Sequence, residues 1–280
     1  METHPTRVAV ITGGGSGIGQ AVVEALNARG GWQIHVFDVK FQDQTQTSSV
    51  HLHRVDICDY KELAAAFRSA FLAGGERLDF VFANAGILER ENWYALTPSP
   101  DEPPPEPDWA AVEINLKGCM NTVRIARHYM AKSPDKGSIL ATSSSGGIWA
   151  AQCAPIYTAS KHGIIGFVRS VAEWYYKSDG IRINILCPSV VRTPIVPDGG
   201  WDGFEPSCFT PIGVISDTVL KFIDSDRIVD AHGRFAETNY GITIVTSGEK
   251  LYLNETPDYC SEEHKNMVES GKVETQVGLF

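Results

Sequence analysis

Thr12-Gly13-Gly14-Gly15-Ser16-Gly17-Ile18-Gly19 separates a short apolar run, Val8-Ala9-Val10-Ile11, from a segment in which Ile18, Ala21, Val22, Ala25 and Leu26 recur at helical spacing. The run reads as a buried strand, the segment as a helix with one apolar stripe, and Gly30-Gly31 as its end. In an α/β sheet, a glycine-rich turn between strand and helix lets backbone N–H groups approach phosphate oxygens, because no Cβ stands between them. A tight turn with no ligand would have the same composition, so the rest of the chain must decide between the two.

Working outward, Ile34-His35-Val36-Phe37 reads as the second strand, His51 to Val55 as the third and Asp79-Phe80-Val81-Phe82 as the fourth. Leu63, Phe67, Ala70 and Phe71 fall on one helical face before that fourth strand. Ser138 to Ala141, Arg182 to Leu186 and Gly241 to Val245 are further strands, and a long helix is expected from about Pro155 to Ser178. A shorter helix, capped by Ser216-Asp217, is expected to run to about Ile223. The alternation predicts an α/β fold: a single doubly wound parallel sheet of Rossmann type with helices on both faces, one domain over residues 1–280.

Three stretches break the pattern. Within 94–108, Thr97 to Pro107 holds six prolines in eleven residues, which excludes a regular helix and predicts an exposed loop ahead of a helix starting near Asp108 or Trp109. A linker between two domains is the rival reading, opposed by the α/β pattern continuing beyond it. Residues 194–215 are rich in Pro, Gly and aromatic side chains and are expected to cover a substrate, with Trp201, Phe204, Pro206, Phe209 and Pro211 pointing to a bulky, mostly apolar one. Residues 257–280 are polar and are expected to be a weakly held tail.

Composition narrows the classes of partner. A formal net charge of −10 argues against phosphate-rich nucleic acid and anionic membrane surfaces, so a small-molecule partner is expected. No apolar run is long enough to span a membrane, and the N-terminus has no secretory pattern, so a soluble cytoplasmic protein is expected. The six cysteines have no zinc-like spacing and read as small buried hydrophobes, and no metal is expected.

Asp38 closes the second strand, where a carboxylate can accept hydrogen bonds from both hydroxyls of an adenosine ribose and repel a 2′-phosphate. Lys40 would offset part of that repulsion, whereas Ser16 stands where a phosphate-preferring protein would often carry a basic residue. Asp56 ends the next strand near the expected adenine, or is an ordinary loop acid. Tyr157 and Lys161 lie one helical turn apart, so the ammonium can stabilise a phenolate and make Tyr157 a usable general acid or base. Alone, such a pair is common on exposed helix faces. Here it follows Thr142-Ser143-Ser144-Ser145-Gly146-Gly147, with spacing that favours Ser144 over its neighbours as the active hydroxyl. Trp149 and Gln152, between them, are candidates for the pocket wall or for core and surface positions respectively.

With these motifs the chain resembles the short-chain dehydrogenase/reductase family from about Arg7 to Thr193, with a looser likeness beyond to its prostaglandin-dehydrogenase-like members. Asn84-Ala85-Gly86 and Ile114-Asn115-Leu116-Lys117-Gly118 are the further segments the family implies. The resemblance implies that Tyr157 exchanges a proton with the substrate oxygen and Ser144 holds that oxygen. It implies that Lys161 contacts the nicotinamide ribose and activates the phenol, and that Asn115 positions a water leading from Lys161 to solvent. The implied cofactor is NAD, held by Gly13, Ser16, Gly17, Ile18, Gly19, Asp38, Asp56, Ile57, Asn84, Gly86, Tyr157, Lys161, Pro188, Val191 and Thr193. Ser189 departs from the glycine usual after Pro188, which puts the local backbone there in doubt. The resemblance also implies a homodimer or homotetramer joined through apolar outer surfaces of the helix holding Asn115 and the helix after Tyr157; in the latter, Ile164, Ile165, Phe167, Val168, Val171, Ala172 and Trp174 are more apolar than one core stripe requires. A reductase, an isomerase using bound cofactor, and a nucleotide-binding protein without turnover are the alternative readings.

Overall fold

The computed structural model describes residues 6–41, 44–96, 101, 103–197, 199–225 and 227–274. Strands β1 (Arg7–Thr12), β2 (Trp32–Asp38), β3 (Val50–Arg54), β4 (Phe80–Ala83), β5 (Ser138–Thr142), β6 (Arg182–Pro188), β7 (Thr243–Ser247) and β8 (Lys250–Leu253) form one sheet in the order β3-β2-β1-β4-β5-β6-β7-β8. All pairings are parallel except β7 with β8. Strand order reverses between β1 and β4, which leaves a crevice beyond their carboxyl ends where such sheets take ligands.

Alternation along each strand divides the core into two layers. Val8 and Val10 of β1 face Leu63 and Phe67 of helix α2 (Tyr60–Ala73), Val123 and Ala126 of α3 (Cys119–Met130), and Ile164 and Val168 of α4 (Pro155–Asp179). Ala9 and Ile11 face Val22 and Leu26 of α1 (Gly17–Arg29), and Ile215 and Val219 of α5 (Ile212–Asp224). Burial on both faces explains why these strands read as continuous apolar runs. Polar groups are buried in the first layer as well. His35 on β2 is buried, with its Nδ1 2.9 Å from His53 Nε2 and its ring stacked 5.0 Å from His51 on β3.

The structure corrects the sequence reading at the C-terminal end. Helix α5 starts at Ile212 with Pro211 at its N-cap, so Ser216 is inside the helix, its hydroxyl donating to the Gly213 carbonyl, and caps nothing. The expected polar tail carries a short helix, α6 (Glu262–Ser270), with no buried residue, linked to α4 by the exposed ion pairs Lys177–Glu274 and Lys272–Glu173. Residues 275–280 of that stretch, and 97–100 and 102 of the proline-rich loop, lie outside the described residues. Residues 103–108 have no regular structure and helix begins at Ala110, as the prolines require. Cys119 and Cys187 are buried as expected, but Cys153, Cys208 and Cys260 are exposed, and all six are free thiols.

Candidate active site

The glycine turn sits at the switch point. Gly13 has φ +65° and donates its N–H to the Phe37 carbonyl at 2.8 Å; a Cβ there would come within 2.6 Å of Ala85 Cα. No side chain but hydrogen therefore fits between β1 and the segment after β4. Ser16, at the N-cap of α1, makes no side-chain capping bond, and the first turn of the helix has no acid. Its backbone donors and positive dipole end thus suit a dinucleotide pyrophosphate, with Gly17, Ile18 and Gly19 continuing the turn into the helix.

Asp38 stands beside this turn. Its Oδ2 accepts from Gly15 N–H at 2.8 Å and its Oδ1 from Lys40 N–H at 3.1 Å. A carboxylate has about four acceptor positions, so fixing it with two backbone donors still leaves capacity for two ribose hydroxyls. Asn84 ties the strand ends together: its Nδ2 donates to Gly13 O at 3.2 Å, its N–H to Thr12 Oγ1 at 3.0 Å, and its Oδ1 accepts from Thr142 Oγ1 at 3.2 Å. Gly86 follows where a Cβ would press on Asn115 Oδ1 at 3.0 Å and on Lys161 Nζ at 3.4 Å. These features fit a nicotinamide dinucleotide.

Ser144, Tyr157, Lys161 and Asn115 converge at the same end of the sheet. Ser144 leaves β5 with its Oγ accepting from Gly146 N–H at 3.0 Å, and its hydroxyl and the Tyr157 ring both border Gly146. Ser143 instead turns inward and donates to the Lys161 carbonyl at 2.8 Å, so only Ser144 of the two faces the phenol. Lys161 Nζ is buried, donates to the Thr142 carbonyl at 2.9 Å and lies 5.6 Å from the Tyr157 ring centre. Asn115 is fully buried in a π-helical turn, Val112–Gly118, that runs into α3. Such turns interrupt regular helix at functional positions. Its carboxamide is occupied by the Ile87 backbone, accepting at 2.8 Å and donating at 2.9 Å, and by Ser160 Oγ at 3.1 Å. These bonds fix the orientation of the carboxamide.

Burial dominates the electrostatics. It pushes the Tyr157 phenol up from its ordinary value, opposed by the Ser144 hydrogen bond, and pushes the Lys161 ammonium down to about 8. The expected direct lowering of the phenol by Lys161 is not the leading effect; desolvation of both groups is.

Other expected residues are placed as follows. Asp56 is exposed and its Oδ1 accepts from Cys58 N–H at 2.8 Å, the local pattern of a loop acid at the strand end, while Ile57 is buried against Gly118. Pro188 ends β6, Val191 is buried, and the Thr193 side chain lies against Gly17. Ser189 leaves the backbone regular, its N–H donating to Thr246 O at 2.9 Å. Trp149 is 59% exposed, which removes it from the core, and Gln152 is exposed with its carbonyl taking the Tyr94 hydroxyl. Trp201, Phe204 and Phe209 pack on one another with ring centres about 6 Å apart, and Arg192 lies over Phe209. Sequence reasoning missed the roles of Thr142, whose main-chain carbonyl takes the Lys161 ammonium whatever its side chain, and of Glu89, which bonds the Tyr157 backbone and belongs to no motif. A cavity of about 570 Å³ lined by Tyr176, Arg182, Lys221 and Phe235 lies at the opposite end of β6 and shares no residue with this site.

The family profile described as short chain dehydrogenase matches residues 7–199. Short-chain dehydrogenase/reductase prx7 of Penicillium rubens is 35% identical over 279 residues, 93% of this chain and 98% of that protein. The NAD(+)-dependent 15-hydroxyprostaglandin dehydrogenase of Rattus norvegicus is 31% identical over 202 residues, 68% of this chain and 70% of that enzyme. Among solved structures, levodione reductase superposes with a TM-score of 0.65 at 26% identity, covering 79% of this chain and 92% of the reductase. A short chain dehydrogenase from Mycobacterium paratuberculosis bound to NAD superposes at 0.68 over 87% of this chain and 97% of that one; at 24% identity it speaks to the fold.

Proposed function

The chain belongs to the short-chain dehydrogenase family of oxidoreductases acting on CH–OH donors, and from that membership we propose an NAD-dependent enzyme interconverting a bulky, mostly apolar secondary alcohol and its ketone. The observation that carries this reading is the convergence of the Ser144 hydroxyl and the Tyr157 ring beside Gly146, with Lys161 buried one helical turn away. A protein that only bound a nucleotide would have no use for a phenol and hydroxyl paired beyond the strand ends.

When bound, the nicotinamide supplies the hydride acceptor or donor. The glycine turn and Asp38 would hold its pyrophosphate and ribose, and Thr193 and Val191 would flank the ring end. Ser144 orients the substrate oxygen and Tyr157 exchanges its proton. Lys161, held by Thr142 and close behind the phenol, stabilises phenolate when that proton leaves. Exposed apolar groups from three segments, Tyr94, Leu96, Trp149, Ile195 and Phe204, support an apolar substrate.

Asp38 supports NAD over its 2′-phosphorylated relative, since a second negative charge would face the carboxylate at short range. Assembly as a homodimer or homotetramer is supported by α4, where Phe167, Val171 and Trp174 stay half-buried and Gly166 opens onto free space. No helix of the described residues is long and apolar enough to cross a membrane, and we place the enzyme in the cytoplasm.

The test is to offer the purified protein NAD with panels of cyclic and long-chain secondary alcohols and follow absorbance of the reduced nicotinamide. Turnover with several alcohols is expected. Turnover with none, nor with the matching ketones in reverse, would favour a binding protein.

A further inference from the structure

Helix α4 carries Tyr157, yet its own sequence leaves its first turn poorly secured. Ala154 at the N-cap has no side-chain acceptor, and Pro155 at the next position brings no N–H. Tyr157 is the third helical residue, whose N–H a capping side chain ordinarily takes. Here that acceptor comes from 68 residues away: Glu89 Oε2 accepts the Tyr157 N–H at 2.7 Å. The other carboxylate oxygen, Oε1, is buried and has no partner among the described residues, so the group is enclosed at the helix end rather than free to swing into solvent.

The opposite side of the same residue is also held. The Tyr157 carbonyl accepts from Ser160 Oγ at 2.7 Å, and Ser160 Oγ in turn accepts from Asn115 Nδ2 at 3.1 Å. Asn115 is clamped to the Ile87 backbone, two residues before Glu89. The chain from Asn84 to Glu89 thus touches the glycine turn at one end, Asn115 in its middle and Tyr157 at the other. We propose that Glu89 is a positioning residue for Tyr157: it caps the catalytic helix in place of the missing local cap and sets the direction of the phenol toward Ser144. The inference rests on the proton-exchange role given to Tyr157 above.

A first helical turn without its cap opens more readily, and a displacement of about 1 Å at a reacting group can cost on the order of a hundredfold in rate. The test uses the full chain with Glu89→Gln, Glu89→Asp and Glu89→Ala, reading hydrogen exchange at the Tyr157 amide, kcat and NAD affinity. Gln keeps an acceptor at full reach and should retain exchange protection and kcat within about threefold of the parent. Asp keeps the charge but loses the reach, and Ala loses both. Each should speed Tyr157 exchange about fivefold and lower kcat at least about tenfold, with NAD affinity within about twofold. Parent-like exchange and kcat in Ala, or a Gln variant as impaired as Ala, would overturn the proposal. So would loss of NAD affinity in step with kcat, which marks general loosening. A parent protein that turns over no secondary alcohol defeats the assigned reaction instead; the exchange readings still decide whether Glu89 caps the helix.

Discussion

Lys161 Nζ and the Thr142 main-chain carbonyl are joined by a 2.9 Å hydrogen bond inside a site where the lysine is 3% exposed. Among the described residues no carboxylate pairs with that ammonium, and burial lowers its pKa to about 8 from the ordinary 10.5. The unfolded chain therefore binds more protons between about pH 8 and 10.5, so this group's contribution to stability rises with pH through that window and is at its least favourable below pH 8. Lys161→Met should abolish turnover yet raise stability at pH 7. Each pKa unit is worth about 1.4 kcal/mol, and the orphaned Thr142 carbonyl takes some back, for a net gain on the order of 1–2 kcal/mol. Urea unfolding at pH 7 and pH 10 checks this; the gain should shrink at the higher pH, and a Met variant weaker than the parent at pH 7 refutes it.

Tyr157→Phe keeps the ring and removes only the hydroxyl. Turnover should fall about 10²–10⁴-fold with NAD affinity unchanged within about twofold. Steady-state kinetics with calorimetry of NAD binding measures both, and a variant above about a tenth of parental turnover would remove Tyr157 from its role.

Asp38→Ala should lower kcat/KM with NAD by about 10–100-fold, because it would remove the ribose contacts proposed above and leave Gly15 N–H without its acceptor. The phosphorylated cofactor should be affected less, so the ratio between the two narrows. Equal use of both by the parent protein would show that Asp38 is not the ribose ligand.

His35 makes the fold sensitive to acid. Burial, followed by the neighbouring His53 and His51, lowers its pKa from 6.5 to about 3. The folded chain excludes a proton that the unfolded chain accepts, so stability present above pH 6.5 is lost as pH falls toward 3. Unfolding midpoints at pH 7.5 and 5 should differ by about 2 kcal/mol from this group, a difference that His35→Leu reduces. An identical slope in the variant would assign the acid loss elsewhere.

Legibility followed the physical origin of each element. β1, the glycine turn and α1 could be read because burial on both sheet faces and the need for close backbone approach restrict residue type at each position. α5 was misplaced because Pro211 carries no side-chain cap, and the Ser216-Asp217 pair imitates one inside the helix. α6 has no buried residue and is linked to α4 by exposed ion pairs that sequence spacing does not disclose. β8 left a usable signal: Gly248-Glu249 between Ser247 and Lys250 is a two-residue hairpin turn with glycine first, at φ +56°. In the site, Tyr157, Lys161 and Ser144 sit at fixed local intervals, whereas the Glu89 contact spans 68 residues and exists only once the sheet has formed.

The bonds from Ile87 to Asn115 and from Glu89 to Tyr157 also divide the chain into a part whose length is fixed and a part whose length is free. One residue added between Asn84 and Glu89 would pull Asn115 and Tyr157 out of step with the glycine turn together. Beyond Arg90, the described residues 91–96 and 103–106 are exposed, ahead of the start of helix at Ala110. Residues gained or lost there would reshape the wall near Tyr94 and Leu96 while the proton-handling groups stay where they are, so the choice of substrate can change by loop length without touching the chemistry.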